Sequence, residues 1–228
     1  MPEVVDFGIE VASAVLCFVL VRFMFKPYSL TKEGRYLGLP VGFAFLGISE
    51  AMLAIGILQP AGELRLISLL TRTFAYVFMA ATYYFSKEPA KKSRVLWSIT
   101  FGLIIVSLTT LAVLMVRGLE FGFNLNPSLS IFLRLLALFC ISYMCVRTLR
   151  SHLQAIEPST LWIPIGFIFL GISQYSLIIW AADANFSQGY AFVGGLIARF
   201  VGLGIFVAVA YSSFYKTKKW RPNEKSSA

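Results

Sequence analysis

Five ionisable side chains lie inside long apolar stretches of the sequence, where a charge is costly. An ionisable group in a transmembrane helix costs about 3 kcal/mol or more, so it normally faces the interior of a helix bundle. There it pairs with an opposite charge, or it lines a path for protons, ions or a polar solute. The five charged residues and three polar neighbours are the candidate binding or proton-pathway residues: Glu10, Ser49, Glu50, Arg72, Arg134, Ser173, Gln174 and Arg199.

Spacing within the apolar stretches predicts two ion pairs. Glu50 and Arg72 each lie eight residues inward from the same end of their helices, and at about 1.5 Å per residue this places them at one depth. Glu10 and Arg134 lie about six residues inward from their own helix ends, which predicts a second pair. Arg199 has no obvious counter-charge nearby. Two glutamates and three arginines leave one positive charge, which favours an anionic or electron-rich ligand.

The elements that must position these residues are seven apolar segments. The 228 residues are 58% hydrophobic and only 14% charged, far from the composition of soluble proteins. Backbone groups in lipid must be bonded within their own segment, so the segments are predicted to be helices of one all-α membrane domain. The predicted segments are 4–25, 37–58, 64–86, 94–116, 128–150, 161–181 and 190–215.

Two of these segments contain the same motif. Pro40 to Glu50 reads PVGFAFLGISE and Pro164 to Gln174 reads PIGFIFLGISQ, which are identical at eight of eleven positions. An arginine follows each motif after a similar interval. Segments one to three therefore match segments five to seven, and an odd linking helix gives both units the same orientation, a parallel 3+1+3 repeat. The predicted parts are unit one at 4–87, the linker helix at 94–116, unit two at 128–216 and a polar basic tail at 217–228.

Lysine and arginine indicate the orientation in the membrane. Fifteen of them fall on one side of the predicted bundle, and only Arg65 and Arg117 fall on the other. The positive-inside rule makes the fifteen cytoplasmic, so the N-terminus is predicted outside and the C-terminus inside. We expect a multi-pass protein of the cell membrane. The net charge of +9 is then explained by topology and by contact with the lipid bilayer rather than by nucleic acid.

The 3+1+3 plan resembles that of the sugar-transporting SWEET and PQ-loop families, which implies a solute site between the two units. The resemblance is one of architecture, because Val41 and Ile165 stand where the PQ-loop motif has glutamine. Seven helices with the N-terminus outside also resemble microbial rhodopsins. A retinal protein is not expected, since the seventh segment has no lysine before Lys216.

Several function classes are disfavoured by what the sequence contains. The one histidine, His152, is predicted to lie in a cytoplasmic loop, so we expect no metal, no cofactor and no enzyme activity. Two functions stay open. The first is a small-solute or proton-coupled transporter. The second is a non-transporting sensor or accessory subunit with a membrane-protein partner or a second copy of itself, in which the charges only fix the register of the helices.

Overall fold

The computed structural model of the protein describes six long helices and a few positions between the third and the fourth. The described residues are 2–31, 37–58, 62–85, 98–99, 101–102, 105–106, 109–110, 113, 127–155, 161–182 and 188–215. The helices are α1 (Pro2–Thr31), α2 (Gly38–Leu58), α3 (Gly62–Phe85), α4 (Pro127–Ala155), α5 (Trp162–Ala182) and α6 (Gln188–Tyr215).

Each of the six helices contains a stretch that is long and apolar enough to cross a bilayer. These stretches have 20 to 26 residues and mean hydropathies from 1.4 to 2.2. The described part of the chain contains no strand. Six of the seven predicted segments are therefore confirmed as helices that are long and apolar enough to span a membrane. The predicted linker helix at 94–116 lies mostly outside the described residues, and so does the predicted tail at 217–228.

Two helices extend beyond the predicted segments. α1 continues to Thr31 and α4 to Ala155, whereas the apolar pattern ended these segments at residues 25 and 150. The physical reason is that hydrophobicity marks only the part of a helix that crosses the hydrocarbon. Backbone hydrogen bonding continues past that limit into the polar residues that follow.

The six helices form a closed ring. α1 packs on α2, α2 on α3, α3 on α4, α4 on α5, α5 on α6, and α6 packs back on α1. This helix order places α1 beside both α2 and α6. Phe101, which belongs to none of the six helices, packs on α3: the centroid of its aromatic ring lies 4.8 Å from that of Phe78.

One half of the ring interior is filled by aromatic side chains from four helices, here called the aromatic layer: Phe43 (α2), Tyr83 (α3), Phe167 (α5) and Phe206 (α6). The Phe167 ring lies 4.8 Å from Phe206 and 5.8 Å from Tyr83, and Phe43 lies 6.0 Å from Phe206. Such edge-to-face pairs add about 1 kcal/mol each to the burial of the rings. Phe43 and Phe167 each lie near the start of their helix, so the aromatic layer sits near the start of α2 and α5.

Close approach between α5 and α6 depends on glycine. A Cβ atom at Gly202 would lie 3.0 Å from the backbone oxygen of Gly166 and 3.2 Å from the Cβ of Phe169. Neither of those atoms can move without shifting a helix backbone. Small residues let transmembrane helices pack at short distance, where van der Waals contact is strongest. The tight α5–α6 seam holds Phe206 against Phe167 in the aromatic layer.

Candidate polar site inside the helix ring

The predicted pair between Glu50 and Arg72 is present. Arg72 Nη2 donates to Glu50 Oε2 at 2.8 Å, and the two side chains are almost completely buried. Glu50 lies seven residues after Phe43 on α2, so the pair is about 10 Å along the helix from the aromatic layer. The equal depth inferred from the helical rise was sufficient to predict this contact.

Arg199 has two carboxylate neighbours, although none was predicted for it. Its Nη2 donates to Glu10 Oε2 at 2.7 Å. Its Nη1 lies 2.7 Å from Glu50 Oε2, the oxygen that also accepts from Arg72. The resulting charge cluster of Glu10, Glu50, Arg72 and Arg199 joins α1, α2, α3 and α6, and it contains equal numbers of positive and negative groups.

The two contacts of Arg199 differ in geometry. The Nη2 group is directed at Glu10 as a hydrogen bond, whereas Nη1 approaches Glu50 closely without an N–H aimed at the oxygen. Charge attraction remains strong at this distance in a buried environment, but the directional part of the interaction is missing. The contact between Arg199 and Glu50 is therefore the less directional of the two.

The predicted pair between Glu10 and Arg134 is wrong. Glu10 binds Arg199 instead, because ring closure places α1 beside α6, whereas α4 packs between α3 and α5. Arg134 Nε donates to Ser130 Oγ at 3.5 Å, one turn earlier on its own helix. Its Nη1 is buried without a hydrogen-bond partner, and no carboxylate of the described residues lies within ion-pair distance of it.

The two predicted serines differ in their surroundings. Ser49 Oγ donates to the backbone oxygen of Ser68 at 2.9 Å and lies 3.3 Å from its hydroxyl. It therefore links α2 to α3. Ser173, at the matching position of α5, is 1% exposed and has no partner for its hydroxyl in the described part of the chain. Only Ser173 has its hydrogen-bonding capacity free for another group.

Gln174 lies beside Ser173 and is also buried without partners. It is 1% exposed, and both its amide oxygen and its amide nitrogen lack hydrogen bonds among the described residues. A buried polar group without a partner costs about 1–3 kcal/mol, so such groups normally bind water or a ligand. The neutral amide thus offers an NH₂ group with two donor hydrogens and a carbonyl oxygen as acceptor.

Sequence reasoning missed two residues of this region. Tyr76 is fully buried and its hydroxyl has no partner in the described residues, and the same is true of Ser13. Tyr76 follows Arg72 by four positions and Ser13 follows Glu10 by three, so each shares a helix face with a charged residue. Inspection of the residues one helical turn after each buried charge would have identified Tyr76 and Ser13.

Buried polar atoms without a partner are thus concentrated around the charge cluster. In the described part of the chain they are Ser13 Oγ, Glu50 Oε1, Arg72 Nε, Tyr76 OH, Arg134 Nη1, Ser173 Oγ, Gln174 Oε1, Gln174 Nε2, Arg199 Nε and Arg199 Nη1. All six helices contribute to this set. These atoms have hydrogen-bonding capacity that a polar or charged species would satisfy.

Comparison with known proteins does not assign a family. No protein-family model matches this chain, and comparison with the curated proteins and with the solved structures gives no significant match. Within the described residues, no group of three or more metal-ligating side chains converges. Function is therefore inferred from the geometry of the polar site.

Proposed function

We propose that this protein is a small-solute or proton-coupled transporter whose site is the charge cluster and the polar groups around it. The observation that supports this most is the position of Arg199, which lies between Glu10 and Glu50 with unpartnered polar atoms nearby. Ion pairs inside a membrane bundle commonly mark paths for ions, protons or substrates. The aromatic layer lies about 10 Å from the cluster along α2, and in this conformation it would block passage through the bundle.

The proposed architecture has seven helices in a 3+1+3 parallel repeat, with the N-terminus outside and the C-terminus in the cytoplasm. Matching burial supports the repeat: Phe43 and Phe167 are buried, and so are Glu50 and its counterpart Gln174. Fifteen basic residues on one predicted side support the orientation and a place in the cell membrane. Unit one then supplies Glu10, Glu50 and Arg72, and unit two supplies Arg199.

In this proposal Arg199 is the group whose partners change during transport. A proton on Glu50 would remove the negative charge that attracts both Arg72 and Arg199. An anion beside Arg199 would compete with Glu50 for the same guanidinium. Either event would weaken the contact between Arg199 and Glu50 first, because that contact lacks a directed hydrogen bond. The seam between the two units would then be able to open.

Proteoliposomes test the proposal. Proton movement would be followed with a trapped pH-sensitive dye, and solute movement with labelled small organic anions, amino acids and sugars. Glu50→Gln and Arg72→Gln should abolish the flux, whereas Arg65→Gln, at an exposed position of α3, should retain it. The proposal would be abandoned if no proton or solute flux is found, or if both cluster variants transport as well as the unchanged protein.

A second candidate is a sensor or accessory subunit in which the cluster only fixes the helices. The complete burial of Glu50 and Arg199 favours this alternative, since both are 0% exposed. Buried ion pairs can act in this way as register devices. Purification in mild detergent would support it if a second membrane protein co-migrates stoichiometrically, and a monodisperse single chain would count against it.

A further inference from the structure

Arg134 is a partly buried cation whose Nη1 atom is buried, and it has no counter-charge among the described residues. The charged groups that act on it are Arg72 and Arg199, which are also cations. Both carboxylates of the cluster are already bound, Glu10 by Arg199 and Glu50 by Arg72 and Arg199. Among the described residues this part of the ring therefore has one uncompensated positive charge. An unpaired charge that is shielded from water is costly unless something neutralises it.

The packing of α4 on α5 places Arg134 level with Gln174. Cys145 Sγ lies 3.8 Å from the backbone oxygen of Pro164. A Cβ atom at Gly171 would lie 3.9 Å from Leu138. These two contacts show that α4 and α5 run antiparallel. Arg134 lies one turn before Leu138 on α4, and Gln174 lies about one turn after Gly171 on α5, so the two residues are at the same level.

The packing of α3 on α4 closes the other side of this position. Thr73 Oγ1 donates to the backbone oxygen of Leu133 at 3.4 Å. Arg72 and Arg134 are the sequence neighbours of these two residues, so they lie at similar heights in the bundle. Arg134 therefore lies on the helix that packs between α3 and α5, at the level of Arg72 and Gln174. The polar atoms without a partner at these two positions of α4 and α5 are Arg134 Nη1, Gln174 Nε2 and Gln174 Oε1.

We propose that Arg134 and Gln174 form a binding site for a small monovalent anion, such as a halide or a small carboxylate. A guanidinium and an amide nitrogen are donors that suit such an anion. One negative charge would balance the single unpaired positive charge, whereas a divalent anion would exceed it. The idea that this anion is the transported substrate rests on the proposed transport function. The binding site itself can be tested without transport.

Thermal unfolding of the purified full chain in mild detergent tests the site. Gluconate would be replaced by chloride, bromide or formate at constant ionic strength. Because a ligand that binds only the folded state raises Tm, the unchanged protein should show a saturable rise of a few degrees. Arg134→Gln should remove this rise, and Arg150→Gln, an exposed position of the same helix, should retain it.

Gln174→Glu gives a test that does not depend on the folding of the Arg134 variant. It places a carboxylate level with Arg134 and so supplies the missing negative charge from the protein itself. We expect its Tm in gluconate to match or exceed that of the unchanged protein with saturating chloride or formate, and its response to anions to be lost. The inference is overturned if none of the three anions stabilises the unchanged protein saturably, or if Gln174→Glu responds as the unchanged protein does.

Flux measurements separate this inference from the proposed function. Saturable stabilisation by an anion without any flux in proteoliposomes would retain the anion site and reject transport. Flux of a proton or solute in a protein that no small anion stabilises would retain transport and reject the anion site.

Discussion

Arg199 on the last helix donates to Glu10 on the first across 189 positions of sequence, at a distance of 2.7 Å. This bond lies at the seam where α6 returns to α1 and completes the ring. The same guanidinium also approaches Glu50 on α2. A single side chain therefore connects three helices, and the ring depends on it electrostatically as well as by packing.

Removal of the Arg199 charge should destabilise the protein strongly. Arg199→Gln leaves Glu10 without its partner and removes one of the two cations from Glu50, and breaking a buried pair on one side costs about 3–5 kcal/mol. The measurement is equilibrium unfolding in mixed micelles. Arg147→Gln, near the far end of α4, is the control and should change the unfolding free energy by less than about 0.5 kcal/mol. Similar losses in both variants would contradict the assigned contacts.

The choice of partner for Glu10 can be measured by double-mutant cycles. Glu10→Gln combined with Arg199→Gln should show a coupling energy of about 1–3 kcal/mol, because the two groups are in contact. The same cycle between Glu10 and Arg134 should give a coupling near zero. A larger coupling to Arg134 than to Arg199 would show that α1 packs beside α4, and the ring order would have to be revised.

The close approach of α5 and α6 predicts a difference between two glycines of one helix. Gly202→Ala forces a Cβ against the Gly166 backbone oxygen and should destabilise the protein by about 1–3 kcal/mol. Gly194→Ala is the matched control, since nothing lies within 4 Å of a Cβ at that position. It should be neutral or slightly stabilising in the same unfolding measurement. Equal effects of the two substitutions would argue against the tight seam.

The aromatic layer predicts a leak if the protein transports. Phe167 contacts both Tyr83 and Phe206, so Phe167→Ala removes the ring that joins the two sides of the layer. We expect passive entry of protons or of the transported solute into proteoliposomes to increase several-fold. Phe139→Ala, on the outside of α4 at 72% exposure, should leave the leak unchanged. An unchanged leak in Phe167→Ala would show that the layer does not control passage.

Depth along each helix was predictable from the sequence, but position around the ring was not. Glu50 and Arg72 belong to consecutive antiparallel helices, so equal depth was enough to bring them together. Glu10 and Arg134 also lie at similar depth, yet depth alone does not state which helix is next to α1. That information comes from the packing of α6 on α1, which no local pattern in the sequence specifies.

The polar groups without hydrogen-bond partners also show what the sequence could and could not predict. The replacement of Glu50 by Gln174 in the second motif was visible in the sequence and marked the position correctly. The sequence could not show that Ser49 is bonded to Ser68 while Ser173 has a free hydroxyl. The difference arises from what α3 places opposite Ser49 and what α6 places opposite Ser173. At the level of Ser173, α6 has Gly195, whose missing side chain leaves no hydroxyl comparable to Ser68.

Closure of the ring by Arg199 also has a consequence for biogenesis. Membrane helices are made from the N-terminus, so Glu10 and Glu50 are synthesised well before the arginine that binds both. Until α6 inserts, the two carboxylates share the positive charge of Arg72 alone. A nascent or C-terminally shortened chain would therefore leave Glu10 without its ion-pair partner and Glu50 with Arg72 alone. The charge on α1 is thus compensated only when α6 is in place.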